Sequence, residues 1–113
     1  VTDARFPGTA RLRNAPEFRQ VLSNGRRRHD DFFTVVVLAN ELQRPRLGIT
    51  VSRRAARLAV QRNRIKRLIR ESYRQQIETL PAVDIVVMAK SQARDADNRT
   101  LIQSLESHWH RLR

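Results

Sequence analysis

The chain contains no cysteine and only three glycines among its 113 residues. Without cysteine there can be no disulfide, no thiolate zinc site and no cysteine nucleophile, and a cytoplasmic setting is the expectation that follows. So few glycines leave no glycine-rich phosphate loop. No apolar run approaches the roughly 20 residues that span a bilayer, and residues 1–13 lack the apolar core of a signal peptide, so no membrane partner is expected. Catalytic patterns are missing too. His108 and His110 lie about 200° apart on a helical wheel and cannot ligate one metal as an i, i+4 pair does. Asp30-Asp31 and Asp95 with Asp97 read as loop and capping acids, and no serine, histidine and acid cluster is discernible. No catalytic residue is expected in this chain, and the sequence points to no position for a protein-bound metal.

What is abundant is positive charge. The net charge is +12 and the pI near 11.8, a surface that attracts polyanions, with nucleic acid the default partner. Of 23 basic residues only Lys66 and Lys90 are lysines. Arginine's planar fork can bond two phosphate oxygens and stack on a base, which a lysine point charge cannot. A hydrophobic content of 40% with clear apolar periodicities supports one folded domain over residues 14–113, preceded by an extended arm at residues 1–13 with Phe6 as a candidate anchor.

The periodicities order the elements. Asn14-Ala15-Pro16-Glu17 reads as a helix start, with Asn14 as N-cap and Glu17 placed for a capping box. Phe18, Val21 and Leu22 form its apolar face, and Asn24-Gly25 predicts a left-handed C-cap. Residues 26–30 fit either a loop or a short edge strand. Phe32 to Ala39 is a strand whose continuous apolarity asks for cover on both faces. After turn residues 40–45, Arg46 to Ser52 alternates Leu47, Ile49 and Val51 with Gly48, Thr50 and Ser52. The period becomes helical from about Arg57 to Leu80, with Leu58, Ile65, Leu68, Ile69, Ser72, Tyr73, Gln76, Ile77 and Leu80 on one side, until Pro81. Asp84 to Ala89 is a third apolar strand. Asn98 is the expected cap of a last helix with Leu101, Ile102, Leu105, Trp109 and Leu112 buried. The order α-β-β-α-β-α predicts an α+β fold, a small mixed sheet packed with three helices.

Residues 53–74 hold nine basic side chains against the single acid Glu71, or +8 of the total +12. On the wheel, Asn63, Arg67, Arg70 and Arg74 lie opposite Ile65, with Arg64 and Lys66 flanking. A solvated face needs charge of both signs, so a one-sign ridge points to a phosphate backbone and to affinity without base reading. Arg62 sits about 60° from Ile65, beside the buried stripe. Two readings are open for it: a guanidinium reaching around to the sheet, or a stem covering apolar surface. Phe18 is likewise either core or a stacking platform for an unpaired base, and a Phe on a short helix is more often core. The small, polar strand face of Gly48, Thr50 and Ser52 cannot fill a tight helix–sheet interface. A shallow groove suited to a single strand is therefore expected beside Phe18 and Leu22.

The run Arg62-Asn63-Arg64-Ile65-Lys66-Arg67-Leu68-Ile69-Arg70-Glu71, preceded by Leu47-Gly48-Ile49-Thr50-Val51-Ser52-Arg53-Arg54, closely resembles the protein subunit of bacterial ribonuclease P. The likeness extends to Glu17-Phe18-Arg19, Gly25, residues 84–90 and Trp109, from about Phe6 to Leu112. The resemblance implies a ribonucleoprotein that removes the 5′ leader from precursor tRNA, in which the RNA subunit holds the catalytic magnesium ions. It assigns Arg53, Arg54, Arg62, Asn63, Arg64, Lys66, Arg67 and Arg70 to contact with the catalytic RNA. It implies that the single-stranded leader runs in the cleft of Phe18, Leu22, Gly48, Thr50 and Ser52, with Leu22 standing where some members carry a second aromatic. It also implies a left-handed strand-helix-strand crossover, against the usual handedness. A ribosomal or chaperone-like RNA binder would share the charge without the motif. DNA is not expected, because no helix-turn-helix spacing is evident.

Overall fold

A computed structural model describes residues 15–112. The predicted arm at residues 1–13 and the Asn14 cap lie outside the described residues. The elements run α1 (Ala15–Asn24), β1 (Arg26–His29), β2 (Phe33–Ala39), β3 (Arg46–Thr50), α2 (Ala59–Gln76), β4 (Val83–Ala89), α3 (Gln92–Asp95) and α4 (Asn98–Leu112). The α+β expectation holds; of the two alternatives for residues 26–30 the edge strand β1 is the one observed, and the single-turn α3 is an addition among the described residues. Neither has an apolar period to announce it.

The sheet order is β1-β2-β4-β3. β2 pairs antiparallel with β1 and β4, while β3 runs parallel to β4. Parallel neighbours need a crossover, and α2 supplies it. One face of the sheet, with Phe33, Val35, Leu47, Ile85 and Val87, packs under α2 and α4 through Ile65, Leu68, Ile69, Tyr73, Leu101, Leu105 and Trp109. The other face places Val36 and Val86 against Val21 of α1. β2 is therefore covered on both faces, as its unbroken apolar run requires. Inside the helix layer the Trp109 indole N–H donates to Ser72 Oγ at 2.8 Å. Its ring meets Tyr73 edge-on at 5.8 Å, a contact worth about 0.5–1.5 kcal/mol beyond burial.

Several local expectations need correction. Gly25 is not left-handed, since no glycine among the described residues has positive φ. It is glycine because a Cβ would lie 2.6 Å from the Val21 carbonyl oxygen and 2.8 Å from Val36 Cγ1. Close approach of α1 to the sheet, rather than a C-cap, selects the residue. Asn98 does not cap α4. Asp97 does, accepting the Thr100 N–H at 2.7 Å. Ile102 is 37% exposed, and Ser104 and His108 take the buried positions beside Leu101, Leu105 and Trp109. α2 begins at Ala59, leaving Leu58 52% exposed just before it. It ends at Gln76, with residues 77–79 as a turn leading to Leu80.

The two polar positions on α4 have a partner. Asp30 accepts the Phe32 and Phe33 N–H groups at 2.8 and 2.9 Å, accepts the Ser104 hydroxyl, and lies 3.2 Å from His108 Nε2. That last approach is not aligned as a hydrogen bond and acts as charge on a ring. Burial raises the Asp30 carboxyl, but the Ser104 hydroxyl, the two N–H groups and His108 together bring it below the ordinary value. Burial pushes the His108 imidazole below its usual range, Asp30 opposes this in part, and Arg111 and Arg28 add to the depression. Both groups therefore bind protons more weakly folded than unfolded. Their contribution is complete at neutral pH and is lost on acidification, His108 first as pH falls below about 6.5 and Asp30 below about 4. The melting temperature should fall from pH 7.5 to 5.5, and His108→Gln should flatten that decline. Parallel curves for wild type and variant would show that His108 is not held neutral in the fold.

Candidate nucleic-acid interface

Between β3 and α2 the chain makes a tight turn. Ser52 Oγ accepts the Ala55 N–H at 3.1 Å and the Ser52 carbonyl accepts the Ala56 N–H at 3.0 Å. Arg53 and Arg54 sit at the tip, both exposed. Leu58 then turns the chain into α2, its N–H donating to Gln61 Oε1 at 3.1 Å.

The two outer arginines of the Arg62-Asn63-Arg64 run point inward. The Arg62 guanidinium donates to the Ala56 and Arg57 carbonyls at 3.0 and 2.8 Å, tying the turn back onto the helix. The side chain is half-buried, and its hydrogen bonds go to the turn rather than to the sheet. Arg64 donates to Asn98 Oδ1 at 2.9 Å and to the Ala96 carbonyl at 2.5 Å, holding the α3–α4 junction against α2. Asn63, Arg67 and Arg70 stay exposed, and Lys66 is half-buried. Arg67 and Arg70 have no carboxylate at ion-pair distance among the described residues. Arg74 departs from the predicted ridge, being half-buried with its Nε enclosed. Val60, 70% exposed in the first turn of α2, borders an open hollow with Asn63, Arg67 and Asn98. The outward surface is thus narrower than the wheel suggested, running from Arg53-Arg54 through Asn63 to Arg67 and Arg70.

The opposite face of the sheet carries the groove. α1 packs over β2 and β4. Phe18 and Leu22, both half-buried, pack with Leu38 and Met88 around the Val21–Val36–Val86 cluster. In the register, Gly48 lies beside Val86 and Thr50 beside Met88, so Gly48 and Thr50 continue this face past the helix. Gly48 is buried while Thr50 and Ser52 are exposed. Phe18, Leu22, Gly48 and Thr50 of the predicted cleft therefore share this face as a step from α1 down to β3, and Ser52 follows just past the strand's end. Phe18 is a core contact on one side and accessible on the other. Beyond Ser52 the step opens into a hollow bordered by Arg54, Ala89 and Lys90.

One end of the step is closed by a network that the apolar patterns did not show. Arg46 donates to Asp84 through Nε at 2.9 Å and Nη2 at 2.7 Å, and to Glu17 through Nη1 at 2.5 Å. Asn40 Nδ2 donates to Asp84 at 2.8 Å. The hydrogen bond to Asp84 raises the Arg46 pKa further above its already high value, with Glu17 adding to the effect. Glu17, placed in the sequence as a capping-box residue, is the carboxylate that joins α1 to β3. An aspartate opening an otherwise apolar strand was the available signal for a buried pair.

Several acids have partners within the fold: Asp84 in Arg46 and Asn40, Asp30 in Ser104 and His108, Asp97 in Thr100, and Asp95 in Arg94. Among the described residues no three acidic or histidine side chains converge as a metal cage.

The family model described as Ribonuclease P matches residues 6–113. The ribonuclease P protein component of Methylococcus capsulatus is 44% identical over 104 residues, covering 92% of this chain and 81% of that one. That of Salmonella arizonae is 43% identical over 106 residues, covering 94% and 89%. The RNase P protein of Staphylococcus aureus superposes with a TM-score of 0.84 at 33% identity, over 90% of this chain and 93% of that one. The Thermotoga maritima RNase P protein does so at 0.81 and 29% identity, over 91% and 97%. The chain belongs to the bacterial ribonuclease P protein family.

Proposed function

We propose that the chain acts as the protein subunit of a ribonuclease P holoenzyme that cleaves the 5′ leader from precursor tRNA in the cytoplasm. The observation that carries this reading is the separation of two surfaces. An unpaired basic strip lies on the helix side of the sheet, and a step with an accessible aromatic lies on the α1 side. Arg53, Arg54, Asn63, Lys66, Arg67 and Arg70 meet the phosphate backbone of the catalytic RNA. Arg62 and Arg64 serve that contact chiefly by holding the turn and the α3–α4 junction in place. The leader follows the step, with a base against Phe18 beside Leu22 and its backbone over Gly48, Thr50 and Ser52. Small residues there let an extended strand approach the sheet closely. Magnesium, held mainly by the RNA, supplies the hydrolytic chemistry when bound. The protein's residues bind and orient.

Each exposed arginine that neutralises a phosphate releases counterions. Arg67→Ala with Arg70→Ala should flatten the log-log salt dependence of catalytic-RNA affinity by about one to two units. An unchanged slope would place the RNA contact elsewhere. Stacking one base is worth ~1–3 kcal/mol. Phe18→Ala should thus weaken holoenzyme binding of leader-bearing precursor by about tenfold while leaving mature tRNA nearly unaffected. Equal losses for both RNAs would reduce Phe18 to a core residue.

A further inference from the structure

The charge outside α2 is not evenly spread. β1 presents Arg26, Arg27, Arg28 and His29, all exposed, on the edge of the sheet opposite β3. Arg26 pairs with Val37 and Arg28 with Val35, so these two side chains lie on the helix side of the sheet. There they meet Arg111 from the last turn of α4 around a small hollow whose apolar wall is Val37, Val83 and Leu112. Arg28 and Arg111 also act together on the buried His108 ring, which places both charges near one point. None of Arg26, Arg28 and Arg111 has a carboxylate at ion-pair distance among the described residues.

We infer that Arg26, Arg28 and Arg111 form a second phosphodiester-binding site that grips another segment of the catalytic RNA. This inference rests on the proposed function and adds an anchor to it. Three like charges around one concavity repel one another, and a polyanion relieves that repulsion. Alternate residues of a strand are about 7 Å apart, so successive phosphates of one RNA strand can each face a guanidinium fork. The geometry favours the catalytic RNA over the leader. The leader step lies on the α1 face, whereas this hollow and the α2 strip lie on the helix face, at its two ends. α2 packs toward β3 and α4 packs over β2, so α4 stands between the two basic sites. Its outward face carries the acid Glu106, which discourages one continuous RNA contact across it. A folded RNA reaching both ends straddles α4 and leaves the α1 face open to substrate.

The test uses the full chain carrying Arg26→Ala with Arg28→Ala, both on exposed positions, beside wild type, Arg67→Ala with Arg70→Ala, and the charge-keeping Arg26→Lys with Arg28→Lys. Affinity for the catalytic RNA is measured against salt, and a thermal melt checks folding. The alanine pair should flatten the slope by about one to two units, the lysine pair should restore most of it, and Arg111→Ala should remove about one unit by itself. An unchanged slope for the folded alanine pair overturns the inference. So does a loss confined to precursor tRNA binding by the assembled holoenzyme, which would hand the hollow to the substrate. Failure of wild type to bind the catalytic RNA would instead defeat the proposed function, so the two failures are distinguishable.

Discussion

The carboxylate of Asp84 sits on a central strand with 7% of the residue exposed, and Arg46 meets it with two parallel N–H donors. Breaking such a buried pair by removing one partner typically costs about 3–5 kcal/mol, because the remaining charge is stranded. The pairing sets more than local stability. It locks the start of β3 to the start of β4 in the parallel register. Through Glu17, Arg46 also fixes where α1 lies above the sheet. A groove can exist on that face only if α1 stops short of β3, and the length of the Glu17–Arg46 tie sets how far it reaches. The same parallel register demands a crossover, and α2 with its basic turn is that crossover.

From this follows the two-sided layout. β4 is buried on both faces, under α1 on one side and under α2 with α4 on the other, so the two surfaces lie on opposite sides of it. The helix side presents Arg67 and Arg70, which among the described residues have no carboxylate at ion-pair distance. The α1 side presents small residues and a half-covered phenylalanine. An RNA held by charge and an RNA strand held by stacking and close approach are different demands, and one sheet separates them.

The elements that bury apolar stripes could be read from the sequence, since helical and strand periods follow from the geometry of burial. α1, α2, α4, β2, β3 and β4 all fall there, and Phe18, Leu22, Gly48 and Thr50 lie on one face. Periodicity fails where a residue is chosen by a single contact. Gly25 looks like a helix cap but answers to Val36 across the sheet. Arg62 and Arg64 look like surface charge in a one-dimensional pattern, yet their length lets them curl back to carbonyls of the preceding turn and of the α3–α4 junction. Ile102 lies within about 20° of Trp109 on the wheel, close enough to be taken for core, while Ser104 and His108 take buried positions because Asp30 is there to receive them. β1 had no apolar signal because an edge strand made of arginine buries nothing. Its importance shows only once Arg111 is seen beside it.

Two RNAs on two faces of one sheet is the central claim, and catalysis by the assembled particle tests it most directly. Cleavage of leader-bearing precursor tRNA by the catalytic RNA would be followed at limiting magnesium, with and without this chain. The account predicts a marked rise in cleavage when the protein is added, larger for precursors whose leader is long enough to cross the step beside Phe18. No rise at any protein concentration, or an equal rise for precursors with and without a leader that reaches the step, would contradict it.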